Sequence, residues 1–161
     1  MKIPKPDNGL VINYSFLWND ELKQGKIEGR KDRPCAVVIT MKSNKVAVLA
    51  ITHSQPKPNT RAFELPQHIK KDLGLDSERS WVITSEVNIF DWPGFDLRPI
   101  KNKDSVVYGK LPTTVLKKLT VIVQERIQGQ QIKITNRNEK TPEQKIINPV
   151  PKKSRNDDFG L

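Results

Sequence analysis

The sequence is poor in the residues that form disulfide bonds and metal centres. Cys35 is the only cysteine among 161 residues, so no internal disulfide can form, and no cysteine–histidine cluster indicates zinc. The two histidines, His53 and His68, are too few for a histidine-based metal centre. We therefore predict neither a metal ion nor a cofactor.

Long hydrophobic runs and glycine-rich phosphate-binding loops are also missing. No apolar segment approaches the roughly 20 residues that a membrane-spanning helix needs. The first residues, MKIPKPDNG, lack the apolar region of a secretory signal. These absences predict a cytoplasmic protein with no membrane partner.

Positive charge is what the sequence has in excess. Lysine and arginine number 28 against 18 acidic residues, which gives a formal net charge of +10 at pH 7. An excess of this size fits a phosphate-rich partner such as nucleic acid, and it fits an ordinary solvated basic surface about equally well. Charge alone leaves both alternatives open.

The composition divides the chain into three parts. Residues 1–8 are polar and contain prolines, which predicts a flexible lead-in. Residues 9–128 contain the strand and helix patterns and are predicted to form one domain. Residues 129–161 are dominated by lysine, asparagine, glutamine and proline, so we predict a basic polar tail that is disordered.

The central part has the pattern of a mainly β protein. Period-two alternation and β-branched runs predict strands, and the turn KSN joins two of them in a hairpin. Apolar residues at helical spacing predict a C-terminal helix over 111–129 that packs on the sheet. We expect a small, strongly curved β-barrel or half-barrel with short helices. The predicted strands are 10–18, 35–41, 45–52, a short strand in RAFEL, and 80–87; a short helix is predicted at 66–74, and long loops at 19–33 and 88–100.

Polar residues follow or precede these strands at one end of the hairpin. Arg33 opens the second strand and Thr52 closes the third, so antiparallel pairing brings them to the same rim. His53 and Ser54 follow Thr52, and Glu86 ends a later strand. Each has an ordinary structural explanation: a solvated arginine, a strand-closing threonine, a loop histidine, or a glutamate paired with a lysine or arginine.

This set of groups suits one reaction that needs no metal. In RNA the ribose 2′-OH is itself the nucleophile, and the protein has only to position it, move protons and stabilise the phosphorane. Arginine matches the charge and geometry of a phosphate. A positioned acid or base typically contributes about 10²–10⁴-fold to the rate.

The order of motifs resembles the PemK/MazF/Kid family of bacterial toxins. The motifs are GLVINYSF, EGRKDRPCAVVI, VAVLAITHS and SWVITSEVNIF, in that order over residues 9–128. GRKDRPCAVV and LGLDSERSW are most similar to the PemK-like growth inhibitors. The resemblance implies an SH3-like barrel with a C-terminal helix, usually a homodimer held by a cognate antitoxin protein. It implies an endoribonuclease that cuts single-stranded RNA to leave a 2′,3′-cyclic phosphate and a 5′-OH.

The resemblance also implies roles for individual residues. Arg33 matches the catalytic arginine of the Arg-Pro motif, Thr52 matches the residue that contacts the scissile phosphate, and Glu86 falls near an acidic residue of some members. Those members carry an arginine as proton donor where this chain has Thr84, so His53 or Arg98 is a candidate replacement. The predicted catalytic residues are Arg33, Thr52, His53 and Glu86; the predicted RNA-binding residues are Arg30, Lys31, Ser54, Asn88 and Arg98.

Two non-catalytic alternatives remain open from the sequence. One type of toxin in the same barrel family acts by binding a topoisomerase. For that role the C-terminal helix and the tail would matter more than Arg33. A basic barrel that binds RNA or DNA without cutting it is the other alternative.

Overall fold

The computed structural model describes residues 2–58 and 60–137 of the chain, and this part has a mainly β architecture. Eight strands form one sheet, and three helices accompany it. This confirms the predicted fold class. The strands are β1 (Leu10–Tyr14), β2 (Arg33–Thr40), β3 (Lys45–Thr52), β4 (Phe63–Glu64), β5 (Trp81–Val82), β6 (Glu86–Asp91), β7 (Val107–Lys110) and β8 (Lys133–Asn136). The helices are α1 (Asn19–Lys23), α2 (Gln67–Asp72) and α3 (Thr113–Gln128).

The predicted hairpin of β2 and β3 is the centre of the sheet. The two strands pair antiparallel, with Cys35 opposite Ala50 and Val37 opposite Val48. Asn44 completes the turn in the left-handed conformation, at φ 63°, which asparagine adopts more readily than most residues. The hairpin therefore brings the start of β2 and the end of β3 to one edge of the fold.

The sheet curls because β3 changes its neighbour along its length. The first half of β3 pairs with β6, where Val46 lies opposite Phe90, and its end pairs with β5, where Thr52 lies opposite Trp81. On the other side, β2 pairs with β1, and β1 pairs with β7. The result is a curled, largely antiparallel half-barrel, as the sequence predicted.

Both faces of the sheet are buried. Helix α3 covers one face with Val115, Leu119 and Val123, which pack among the apolar residues of β1, β2 and β3. The opposite face is closed by aromatic side chains, and the rings of Tyr14 and Phe90 stack there at 4.5 Å. The predicted C-terminal helix packed on the sheet is thus confirmed. In the described part of the chain no helix is long and apolar enough to cross a membrane.

Several element boundaries differ from the sequence predictions. The first strand ends at residue 14 instead of 18, and α1 occupies the start of the loop predicted at 19–33. The strand predicted at 80–87 is two strands, β5 and β6, separated near Thr84. The reason is that Thr84 Oγ1 donates a hydrogen bond to the Arg61 carbonyl, 2.8 Å away, while the neighbouring chain segments change partners.

The fold continues beyond residue 128, where the sequence placed the start of a disordered tail. Strand β8 pairs in parallel with β6 over four residues, from Lys133 opposite Glu86 to Asn136 opposite Ile89. Arg137 follows it and is 5% exposed. The polar composition of this segment hid its role, because long-range pairing and a buried arginine stabilise it together with only two isoleucines, Ile132 and Ile134, that pack against the core. The remainder of the predicted tail, residues 138–161, lies outside the described residues.

Candidate functional site

A cleft lies at the open end of the hairpin, where Arg33 and Thr52 meet. The β2–β3 pairing ends with Cys35 opposite Ala50, so Arg33 and Thr52, each two residues further along, lie at the same end of the hairpin. Both residues line a cleft of about 330 Å³. The cleft therefore holds the two residues that the sequence placed at one rim. Other lining residues are Lys31, Asp32, His53, Asp76, Ser80 and Tyr108.

The Arg33 guanidinium is held in place without being neutralised. Its central carbon lies 5.3 Å from the centroid of the Trp18 ring, a cation–π arrangement. Its Nε is buried and has no hydrogen-bond partner in the described part of the chain, where no carboxylate approaches the side chain within 4.0 Å either. Burial lowers the pKa of Arg33, with Cys35 and Glu21 opposing that effect, but an arginine stays charged at physiological pH. An oriented cation is thus left with unused donors.

Thr52 offers a hydroxyl of fixed orientation. Its Oγ1 accepts a hydrogen bond from the backbone N–H of Ser54, 3.1 Å away. That contact uses an acceptor position of the hydroxyl and leaves its O–H free to donate. Arg33 and Thr52 together provide a charged donor and a neutral donor from opposite strands, an arrangement that suits a phosphate.

His53 forms part of the cleft wall through a chain of polar contacts. Its Nε2 lies 2.9 Å from Asp76 Oδ2, and its Nδ1 lies 3.0 Å from the Arg79 carbonyl oxygen and 3.1 Å from Ser80 Oγ. Asp76 is held in turn by the buried Lys70, whose Nζ lies 3.1 Å from Oδ1. Both ring nitrogens of His53 therefore face protein groups, and the ring joins the end of β3 to the loop before β5.

The charge of Asp76 is compensated within this chain. Burial alone raises the pKa of Asp76, but the hydrogen bond from Lys70 and the charges of His53 and Lys70 outweigh it, so the pKa lies below its usual value. The other carboxylate in the cleft, Asp32, lies 3.8 Å from the Arg98 guanidinium. Within the described residues Lys31 and Arg33 have no such partner. The two carboxylates of the lining are therefore paired with cations, and its two cations are left without a carboxylate partner in this part of the chain.

One histidine and two carboxylates lie close together here, and these residue types can bind metal ions. Ligand atoms of His53, Asp76 and Glu78 all lie within 4.8 Å of one another, and all three residues are exposed. The Lys70 ammonium already sits on Asp76, 3.1 Å from Oδ1. A bound cation repels a divalent metal ion at that carboxylate, so the donor set does not fit a metal site well.

Two of the predicted site residues have structural roles elsewhere. Asn88 is 0% exposed; its amide bonds the backbone N–H and C=O of Leu17, both at 2.9 Å, so it has no surface with which to contact RNA. Glu86 does not line the cleft; its Oε1 accepts the Asn19 N–H at 2.8 Å. Burial raises the pKa of Glu86, although the Asn19 hydrogen bond and the charge of Lys133 oppose this.

The remaining predicted residues lie around the cleft without lining it, apart from Lys31. Arg30 and Ser54 are exposed. Arg98 is partly buried and engaged, with a hydrogen bond of 2.7 Å to the Phe95 carbonyl oxygen and a contact of 3.4 Å with Asp96. Thr84, where the family pattern has an arginine, is buried and accepts a hydrogen bond from Arg126 Nε at 3.2 Å.

The sequence did not point to Trp18, Asp76 or Tyr108. Trp18 appeared to be the last residue of a strand, although an aromatic residue near a basic loop is a fair signal for cation–π contact. Asp76 lies in the irregular segment between α2 and β5, and only the folded structure brings it to His53. Tyr108 lies in a segment, DSVVYGK, that had no clear pattern of its own.

Comparison with models of known protein families finds no match to the chain, and comparison with curated proteins finds no match either. The case for a function therefore depends on the cleft itself and on the motif resemblance described above.

Proposed function

We propose that the protein is a metal-independent endoribonuclease that acts on single-stranded RNA, as a toxin of the PemK/MazF/Kid type. The observation that supports this most directly is the pairing of an uncompensated arginine with a free hydroxyl donor. Arg33 and Thr52 line one cleft at the same end of the hairpin, and no carboxylate of the described residues forms an ion pair with Arg33.

The cleft provides the donors that RNA cleavage by internal attack requires. The 2′-OH gives up its proton to solvent water as its oxygen attacks the adjacent phosphorus, and the bond from phosphorus to the 5′-oxygen breaks. Negative charge builds on the non-bridging oxygens, where the Arg33 guanidinium and the Thr52 hydroxyl donate hydrogen bonds. Such preorganised donors are worth about 10²–10³-fold each when they act on the transition state. The products are a 2′,3′-cyclic phosphate and a 5′-OH.

The basic residues around the cleft are suited to holding the RNA backbone. Lys31 lines the cleft, and Arg30 is exposed one residue before it. Contacts of this kind position the substrate and carry no sequence information. We expect the loop of residues 24–32 to border the bound strand, while the antitoxin and the homodimer remain expectations from the family resemblance.

The experiment is cleavage of single-stranded RNA in EDTA by the full-length chain and by three variants. Arg33→Ala is expected to lower the rate by about 10²-fold or more, and Thr52→Ala by a comparable factor, since each removes a donor to the phosphate. Arg61→Ala is the matched control, because it removes the same charge from an exposed pair with Glu125, 2.6 Å away.

Two results would overturn the proposal. One is the absence of cleavage by the unmodified chain, including on RNA mixtures of diverse sequence. The other is equal loss of rate in Arg33→Ala and Arg61→Ala, which would show that only net charge matters. Salt-dependent RNA binding with no cleavage would indicate the non-catalytic nucleic-acid-binding barrel instead.

A further inference from the structure

Tyr108 is the residue of the cleft that the sequence reasoning did not anticipate. It lies on β7, which pairs with β1 at the edge of the sheet, and it lines the same cleft as Arg33 and Thr52. Its hydroxyl makes no hydrogen bond with any residue in the part of the chain that the structure describes. A phenol at this position is therefore free to contact a substrate.

A β-bulge gives Tyr108 its position. Val107 lies opposite Ile12 and Gly109 lies opposite Val11, so Tyr108 is the extra residue of β7 and has no partner on β1. Bulges turn a side chain away from the regular alternation of the strand, and they are common beside active sites. In a strand without the bulge, the side chain of residue 108 would follow the regular alternation of side chains between the two faces of the sheet.

The surroundings of the phenol keep it protonated. Burial raises the pKa of Tyr108, and Cys35 and the carboxylates of Asp32 and Asp76 add to the rise. Asp32 and Asp76 both line the cleft, so their charges act on the phenol from the walls of the same cleft. A neutral phenol can donate a proton to the leaving 5′-oxygen. A phenol is also a stronger acid than the 5′-alcohol that the reaction releases.

The other candidates for a proton donor are less well placed. Both nitrogens of His53 face protein groups, and Thr84 is buried in contact with Arg61 and Arg126. Arg98 is engaged with Phe95 and Asp96. These contacts leave the cleft without the arginine that the family pattern supplies at the position of Thr84.

We propose that Tyr108 is a catalytic residue that protonates the leaving 5′-oxygen; this inference rests on the proposed ribonuclease function. As the bond from phosphorus to the 5′-oxygen breaks, its electron pair passes to the oxygen, which takes the phenolic proton. The product is a 5′-OH and a tyrosinate, which recovers its proton from water.

The test compares two leaving groups at one bond. A cleavage site of the full-length chain is first mapped on a single-stranded RNA. A short oligoribonucleotide is then made with that bond, and a second one with sulfur in place of its bridging 5′-oxygen. A thiolate leaves without a proton, so the sulfur substrate does not need the acid.

The cleavage rate that Tyr108→Phe loses is expected to depend on the leaving group. Tyr108→Phe is expected to cut the ordinary substrate about 10²-fold or more slowly than the unmodified chain, and the sulfur substrate at a rate within about tenfold of it. Arg33→Ala stays slow on both substrates. Tyr14→Phe is the matched control: it removes a hydroxyl that accepts a hydrogen bond from the buried Arg137, and it leaves the cleft unchanged.

Three outcomes would overturn the inference. Unchanged cleavage of the ordinary substrate by Tyr108→Phe shows that the phenol is not used, even if Tyr108→Ala is inactive because an aromatic ring is lost. Equal loss on both substrates shows that Tyr108 only positions the RNA. Failure of the unmodified chain to cut either substrate overturns the ribonuclease function and the inference with it.

Discussion

Replacing Arg137 by methionine is expected to destabilise the protein more than any exposed arginine substitution. Arg137 Nη2 lies 2.5 Å from Asp96 Oδ2, and the two side chains are 3% and 4% exposed. Arg137 Nη1 also donates to the Ser15 carbonyl at 2.7 Å and to Asn88 Oδ1 at 3.0 Å. The substitution removes the closest donor of the buried Asp96 carboxylate, which keeps only the longer contact of 3.4 Å with Arg98, and it leaves the other acceptors without this donor.

The size of the effect follows from these contacts. Removing one partner of a buried ion pair costs about 3–5 kcal/mol, because the other charge remains buried and uncompensated. A domain of this size is stable by about 5–15 kcal/mol, so the variant loses a large part of its stability. The control, Arg61→Met, breaks an ion pair with Glu125 whose side chains are about half exposed, and costs at most about 1 kcal/mol.

A double-mutant cycle measured by urea denaturation separates the unpaired charge from other effects. Asp96→Asn added to Arg137→Met is expected to recover part of the loss, since the buried carboxylate that has lost its closest cation is then gone. The reasoning is refuted if Arg137→Met costs no more than Arg61→Met, or if the two losses at Asp96 and Arg137 simply add.

Three further predictions concern Asn88, Glu86 and Cys35. Asn88→Ala is expected to lower the free energy of unfolding by about 1–3 kcal/mol for each backbone group of Leu17 left unpaired, which urea denaturation measures. Glu86→Gln is expected to raise the melting temperature at neutral pH, because it removes the charge that burial disfavours while keeping the Asn19 hydrogen bond; the gain should vanish as the pH falls through the raised pKa of Glu86 toward the ordinary 4.5, where the native carboxyl is neutral too. Cys35 is fully buried and burial raises the pKa of its thiol, so iodoacetamide followed by mass spectrometry should find it unmodified in the folded protein and modified in urea.

The hairpin was predictable from the sequence because its signals are local. The β-branched run that opens with Cys35 and the tight turn before Lys45 specify two antiparallel strands, and antiparallel geometry then brings Arg33 to Thr52. The same local signals identified α3 through the spacing of its apolar residues. The core of the candidate site therefore required no tertiary information.

The features that the sequence did not reveal depend on distant contacts. Strand β8 has only a short apolar alternation, Ile132 and Ile134, and its position depends on its pairing with β6 and the contacts of Arg137. Asn88 seemed to be a loop residue near the rim, yet its hydrogen bonds to Leu17 place it in the interior. Tyr108 enters the cleft because one extra residue forms a bulge, and no propensity of a single residue encodes that displacement.

The most direct test of the account replaces the nucleophile. A cleavage site is mapped on single-stranded RNA, and an oligoribonucleotide is made with one 2′-deoxyribose immediately 5′ of that bond. We predict that the full-length chain cuts the all-ribose oligonucleotide in EDTA to give a 2′,3′-cyclic phosphate and a 5′-OH. We predict that it does not cut the substituted one. Cleavage of the 2′-deoxy substrate at the same bond, or a 3′-OH newly formed at the cut bond, would contradict the mechanism assigned to Arg33 and Thr52.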